Sequence, residues 1–171
     1  MDDDTIIDAI LKREGGWSNQ ASDRGHQTMR GITLSTYSAW LHRPATVEEL
    51  KALTEGEARQ IYRALYIDQP GFSKIENPQI RGLVVDAGVN HGPTVSVRML
   101  QRALAVPVDG ALGPVTIAAL KAAAPGPLYF RLCAQRVRFY GSIISHDHSQ
   151  AVFASGWASR VAELIEEGAA G

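Results

Sequence analysis

The stretch TVEELKALTEGEARQIYRAL, residues 46–65, decides the fold class. Thr46 stands three residues ahead of Glu49, and Thr54 three ahead of Glu57. Each pair is a capping box: the hydroxyl accepts from a backbone N–H in the helix's first turn, and the carboxylate reaches back to the N–H of the capping residue. Behind the first box come Val47, Leu50 and Leu53, and behind the second Ala58, Ile61, Tyr62 and Leu65, both sets at helical spacing. Two helices therefore follow one another with no strand between them. Upstream, Leu34, Tyr37, Trp40 and Leu41 keep one helical face apolar after Thr33, and Ile6, Ile7, Ile10 and Leu11 do so behind Thr5, which reads as the cap of a helix over 5–14. Downstream, Asn77-Pro78 is a cap with proline at the first helical position, opening a helix through Ile80, Leu83, Val84 and Ala87 that stops near Asn90-His91-Gly92. Segments 93–104, 114–121, 127–143 and 150–165 read the same way. The fold class is all-α or nearly so, with about eight helices.

The exception is the region from Gly15 to Gly31, which is polar, punctuated by glycine and without the alternation of a buried strand. It reads as a loop or a small irregular hairpin, and it leaves Glu14 in the last turn of the first helix. A second turn, Val106-Pro107-Val108-Asp109-Gly110-Ala111-Leu112-Gly113, carries two glycines and an aspartate suited to bonding its own backbone.

At 171 residues the chain suffices for one good core, and a single compact body is expected. Residues 1–75 carry 9 basic and 11 acidic side chains and residues 76–171 carry 8 and 7, so neither part is basic enough to argue for nucleic acid. The single cysteine, Cys133, excludes an internal disulfide framework and reads as a small buried hydrophobe. No apolar run approaches the roughly 20 residues of a membrane span. The acidic Met1-Asp2-Asp3-Asp4 start and the short Ile6 to Leu11 cluster do not read as a secretory signal. A product made in the cytoplasm without a signal peptide, with no membrane insertion, is the expectation.

Cleaving a glycosidic bond requires a proton donor at the leaving oxygen and usually a second carboxylate that stabilises the cationic sugar, attacks it or activates water. Glu14 and Asp23 are the candidates for these parts. A glutamate at a helix end beside an aromatic such as Trp17 is partly desolvated, which together with the negative end of the helix dipole raises its pKa toward working pH. Asp23 lies in the polar loop, where solvent keeps it ionised, and Thr28 offers a hydroxyl to position water. Singly, each has a plain structural reading as a solvated carboxylate, a turn former and a loop hydroxyl. For sugar contacts the candidates are Trp17 and Tyr37, as stacking platforms, and Asn90, whose amide suits an N-acetyl group; a helix C-cap explains Asn90 equally well. Trp40 and Trp157 lie on apolar helical faces and read as core. The compact His146-Asp147-His148 lacks the three or four convergent ligands of a zinc site, so no metal and no cofactor is expected.

The segments Glu14-Gly15-Gly16-Trp17, Asp23-Arg24-Gly25-His26-Gln27-Thr28 and Gly31-Ile32-Thr33 together resemble the signature of the glycosyl hydrolase family 108 lysozymes. His26 departs from it, standing where the family more often has a second glycine. The resemblance implies a lysozyme-like helical fold, N-acetylmuramidase activity and Glu14 as the catalytic glutamate. The order of glutamate, aspartate and threonine is also similar to that of phage T4-type lysozymes, which implies supporting roles for Asp23 and Thr28. The stretches Asp86 to Gly92, Leu100 to Leu104, Val108 to Thr116 and Gly156 to Arg160 resemble the peptidoglycan-binding segment that accompanies the family. The expected layout is a catalytic segment at 5–90 and a peptidoglycan-binding-like segment at 91–171. Peptidoglycan glycan strands are the expected partner of a monomer that acts in the periplasm or on the cell wall, exported through a holin, as a phage endolysin would be, or through a secretion system. Two other readings stay open at this point: a non-catalytic wall-binding module and a lytic transglycosylase.

Overall fold

The computed structural model describes residues 2–18 and 27–169. Among them are nine α-helices and one small antiparallel sheet, the nearly all-α class expected. The chain divides into two compact units, Met1–Gln69 and Pro70–Gly171.

The first unit runs α1 (Asp3–Glu14), β1 (Trp17–Ser18), β2 (Thr28–Met29), β3 (Ile32–Thr33), α2 (Leu34–Trp40), α3 (Val47–Lys51), α4 (Glu55–Arg63) and a π-helical turn at Ala64–Asp68. Helix α1 starts two residues before the expected position, because Asp2 and not Thr5 is its cap. The Asp2 carboxylate accepts from Thr5 N at 2.8 Å and from Thr5 Oγ1 at 2.6 Å, and Asp3 and Asp4 add negative charge where the helix dipole is positive. Both capping boxes are present as read, at Thr46 with Glu49 and at Thr54 with Glu57. Ile6, Ile7 and Ile10 of α1 and Ala58, Ile61 and Tyr62 of α4 are buried, and the two helices pack together. At their rim Arg59 pairs with Asp8, and Arg63 with Asp4 at 2.7 Å.

The region after α1 is a three-stranded sheet in the order β1-β2-β3. Trp17 faces Met29, which faces Ile32; Ser18 faces Thr28, which faces Thr33. Directly opposed residues of antiparallel strands share a face. One side of the sheet is therefore a row of hydroxyls, Ser18, Thr28 and Thr33, and the other is apolar and ends on Ile32, 3 % exposed. The β2–β3 turn is the two-residue Arg30-Gly31, with φ of 52° and 75°, the pairing of positive values that a tight hairpin turn of type I′ requires.

The second unit holds a 3₁₀ turn (Phe72–Lys74), α5 (Pro78–His91), α6 (Pro93–Leu104), α7 (Pro114–Ala122), α8 (Pro125–His146), a 3₁₀ turn (His148–Phe153) and α9 (Ala154–Ala169). Helix α8 begins at Pro125, two residues earlier than expected, since both Pro125 and Pro127 sit in the first turn, whose N–H groups have no partner inside the helix. Helix α5 packs on α6 and α8, and α8 on α9. Asp86 of α5, 4 % exposed, accepts from Arg136 of α8 and Arg160 of α9. Burial alone would push this carboxyl up, but the two guanidiniums overcome it and hold it below the usual carboxylate range. Cys133 is buried, as expected of it.

The turn before α7 is stapled by one side chain. The Gln101 amide, 1 % exposed, donates to Asp109 Oδ1 at 2.6 Å, to Ala111 O at 3.0 Å and to Thr116 Oγ1 at 3.1 Å, and accepts from Gly110 N at 2.9 Å. Asp109 and Gly110 are thereby committed to the turn's own architecture. No helix among the described residues is long and apolar enough to cross a membrane.

Candidate active site

Glu14 closes α1, where Gly15 takes over with φ 70° and ends the helix. The chain then enters β1, and Gly16 O accepts from Arg30 N at 3.2 Å, which brings the β2–β3 turn back over the end of α1. The half-buried Glu14 carboxyl rests against that turn: a Cβ added at Gly31 would lie 2.5 Å from Glu14 Oε2 and 2.6 Å from Tyr62 Oη. Only glycine leaves room for both oxygens there, and φ 75° favours glycine independently.

Tyr62 comes from α4 and is 2 % exposed. Its hydroxyl donates to Arg30 O at 2.8 Å, which satisfies a turn carbonyl and fixes the phenol beside the acid. Tyr66, in the π-helical turn, leans on Tyr62 with ring centroids 5.6 Å apart and planes at 34°. Burial, then the Glu14 carboxylate, then Tyr66 push the Tyr62 hydroxyl far above its ordinary range; burial and then Glu14 push Tyr66 up as well. Both phenols therefore stand in the field of the Glu14 carboxylate. On the other side of the turn, Arg30 Nη1 lies 3.5 Å from Glu55 Oε2.

Trp17 sits in β1, 37 % exposed, with Lys51 Nζ of α3 at 4.9 Å from the ring centroid. Thr28 is half-buried at the centre of the hydroxyl row. Thr33, beside it, caps α2 by accepting from Thr36 N at 3.1 Å. Asp23 lies outside the described residues, as does His26. Tyr37 is 6 % exposed on α2 and belongs to the core; an aromatic with so little open surface offers no platform to a sugar ring, because the apolar face that its spacing predicts is turned inward. Asn90 is in the second unit, exposed, with its amide donating to Asp86 O at 2.7 Å, one turn back on α5. His146 and Asp147 are engaged locally, His146 Nδ1 with Ser142 O at 2.7 Å and Asp147 as the cap of the following 3₁₀ turn.

The structure thus gathers Glu14, Gly31, Tyr62 and Tyr66 into one cluster. Gly31 was legible as a member of the quoted segment, without a role. Tyr62 was not, because its position among Ala58, Ile61 and Leu65 makes it one more apolar residue of a helical face. What the cluster can do chemically is present a half-buried carboxyl, set against a turn backbone with two phenols nearby, beside a sheet carrying a row of hydroxyls.

Comparison with known proteins places the cluster inside a family match. Residues 7–92 match the glycosyl hydrolase 108 family model, and residues 95–162 match a family described as a predicted peptidoglycan domain. The solved structure of Brucella abortus SagA is similar over 98 % of this chain and 94 % of that one, with a TM-score of 0.86 and 30 % sequence identity. No curated protein matches the chain.

Proposed function

The chain belongs to the glycosyl hydrolase 108 family, and from there we propose that it is a muramidase, cleaving the bond between N-acetylmuramic acid and N-acetylglucosamine in peptidoglycan with Glu14 as general acid. The observation that carries this reading is the seat of the Glu14 carboxyl against the Gly31 backbone, walled by the buried Tyr62. A carboxyl partly shielded from water and held in one place is suited to carry a proton to a leaving glycosidic oxygen. Asp23 is assigned the second carboxylate's part, stabilising the cationic sugar or activating water, and Thr28 the ordering of that water. Trp17, with much of its indole open, is assigned a sugar contact. Catalysis belongs to residues 5–90 and wall binding to 91–171, so that the enzyme works in the periplasm or on the cell wall.

The test is turbidity loss of outer-membrane-stripped Gram-negative cells on adding purified protein, with mass spectrometry of the products. Wild type should clear the suspension and release muramic acid with a free reducing end. Glu14→Gln, with an unchanged circular dichroism spectrum, should lose all measurable activity, since an amide donates no proton as an acid. Wild-type rates in the folded variant would falsify the assignment, and anhydro-muramyl products would replace hydrolysis by transglycosylation.

A further inference from the structure

Tyr62 enters the reaction just proposed only as a wall beside the acid, and its surroundings are unusual for a core tyrosine. It is 2 % exposed, so its hydroxyl needs a partner inside the protein, and the partner is not in its own helix. It is Arg30 O, 32 residues away in sequence, in the middle of the β2–β3 turn. That turn is strained ground for a side chain, with Arg30 at φ 52° and Gly31 at φ 75°. The next residue, Gly31, is the one against which the Glu14 carboxyl rests, and the Tyr62 and Glu14 oxygens crowd the same missing Cβ. A buried phenol, a turn carbonyl, a glycine and the acid are therefore linked in series.

The phenol itself is held from behind. The turn after α4 is π-helical, closed by Gln69 N to Ala64 O at 3.0 Å, and the wider turn carries Tyr66 to a tilted contact with the Tyr62 ring. Single π turns inside helical segments recur at functional sites, where they re-aim side chains at a cost in local stability. Here Tyr66 lies in the π turn and Tyr62 just before it in α4, and both rings come within the electrostatic reach of Glu14.

We infer that Tyr62 is a positioning residue for the acid: its hydroxyl pins the Arg30-Gly31 turn in place, and the pinned turn seats the Glu14 carboxyl at the angle from which it protonates the leaving oxygen. The inference rests on the assignment of Glu14 as general acid. Tyr62, 2 % exposed, acts on the acid through the turn and not on the substrate. Losing it costs alignment, and misplacement of about an ångström lowers a catalytic rate by about tenfold to a hundredfold without changing what is bound.

The experiment is Tyr62→Phe, which keeps the ring and deletes the hydroxyl, read in three ways: kcat and KM on soluble glycan strands, the Glu14 side-chain carboxyl resonance by ¹³C NMR, and the thermal midpoint. The expected result is kcat lowered by about tenfold or more with KM within about twofold of wild type, and a displaced Glu14 resonance, assigned by its absence in Glu14→Gln. A folded variant whose Glu14 resonance stays where it was overturns the inference. If the resonance moves and kcat does not, Tyr62 positions Glu14 as stated and it is the general-acid reading that falls. Should Tyr62→Phe fail to fold, 3-fluorotyrosine at position 62 keeps ring and hydroxyl and alters only the strength of the donor. The Arg30 carbonyl and Glu14 carboxyl resonances should then move together, and movement of the first alone overturns the inference.

Discussion

At the scale of single residues, Gly31 carries two constraints that normally occur apart. Its φ of 75° lies in the left-handed region, where a Cβ costs roughly 1–2 kcal/mol. Its Cα also faces two oxygens from two different helices, at 2.5 and 2.6 Å from where a Cβ would stand. Backbone strain alone would make a substitution destabilising; with Glu14 as the proposed acid, the second constraint is expected to make it inactivating as well, because the Glu14 carboxyl oxygen and the Tyr62 hydroxyl are the atoms that must give way. Gly31→Ala should lower stability by about 1–2 kcal/mol and lower kcat by more than tenfold, measured by urea unfolding and by wall hydrolysis on the same preparation. A stable Gly31→Ala protein with full activity would mean that Glu14 is not held by this turn. The contrast with Tyr62 shows what a sequence displays and what it hides. Glu14 and Gly31 lie within one short polar region where each stands out from its neighbours, whereas Tyr62 stands in a helix among residues of its own kind. Only the folding of α4 against the turn sets it apart.

Elements were legible in proportion to how local their signals are. The boxes at Thr46 and Thr54 are four-residue patterns and form as read. The sheet has strands of two residues each, too short for any alternation to register, and it is held by the Arg30-Gly31 turn and by pairing with partners up to 12 residues away. The start of α1 depended on a competition between Asp2 and Thr5 that only the hydrogen-bond geometry decides. Helix α5 adds a property that no pattern announces: its last residue, His91, packs between Phe139 and Tyr140 with ring centroids at 4.8 and 5.3 Å. Burial, and then the charge of Arg136, push its pKa down from the ordinary 6.5 to about 4. The folded chain therefore keeps His91 neutral in a range where the unfolded chain binds a proton, so stability is fully present above pH 6.5 and drains away as pH falls toward 4. About 2 kcal/mol is at stake, the full shift being reduced for the part of the ring that solvent still reaches. Thermal midpoints taken from pH 7 to pH 4.5 should fall, and His91→Phe, which suits the aromatic site and has nothing to protonate, should flatten that fall; a variant with the wild-type slope would place the titrating group elsewhere.

For the whole molecule, the boundary drawn by sequence families and the boundary drawn by packing do not coincide. The glycosyl hydrolase 108 match runs to residue 92, whereas the first compact unit ends at Gln69. The difference is α5, which by family belongs with Glu14 and by packing belongs to the second unit, against α6 and α8. Helix α5 buries Ile80, Leu83, Val84, Val85 and Ala87, and it supplies the carboxylate that Arg136 and Arg160 surround. A fragment ending at residue 92 would contain the whole family match and the proposed acid, yet would open those five apolar side chains to water and leave Asp86 without either guanidinium. At about 1.5–3 kcal/mol for each fully buried aliphatic side chain, losing that burial is comparable to the margin of about 5–15 kcal/mol by which a domain is stable. The expectation is that residues 78–91 of fragment 1–92 are not stably folded at 25 °C and are cut rapidly by protease, whereas in the full chain they are resistant. Limited proteolysis with mass spectrometry and a circular dichroism melt of the fragment would check this. Protease resistance of residues 78–91 in fragment 1–92, with a cooperative melt, would show that α5 is stable without α6 and α8, and that the family boundary is also a folding boundary.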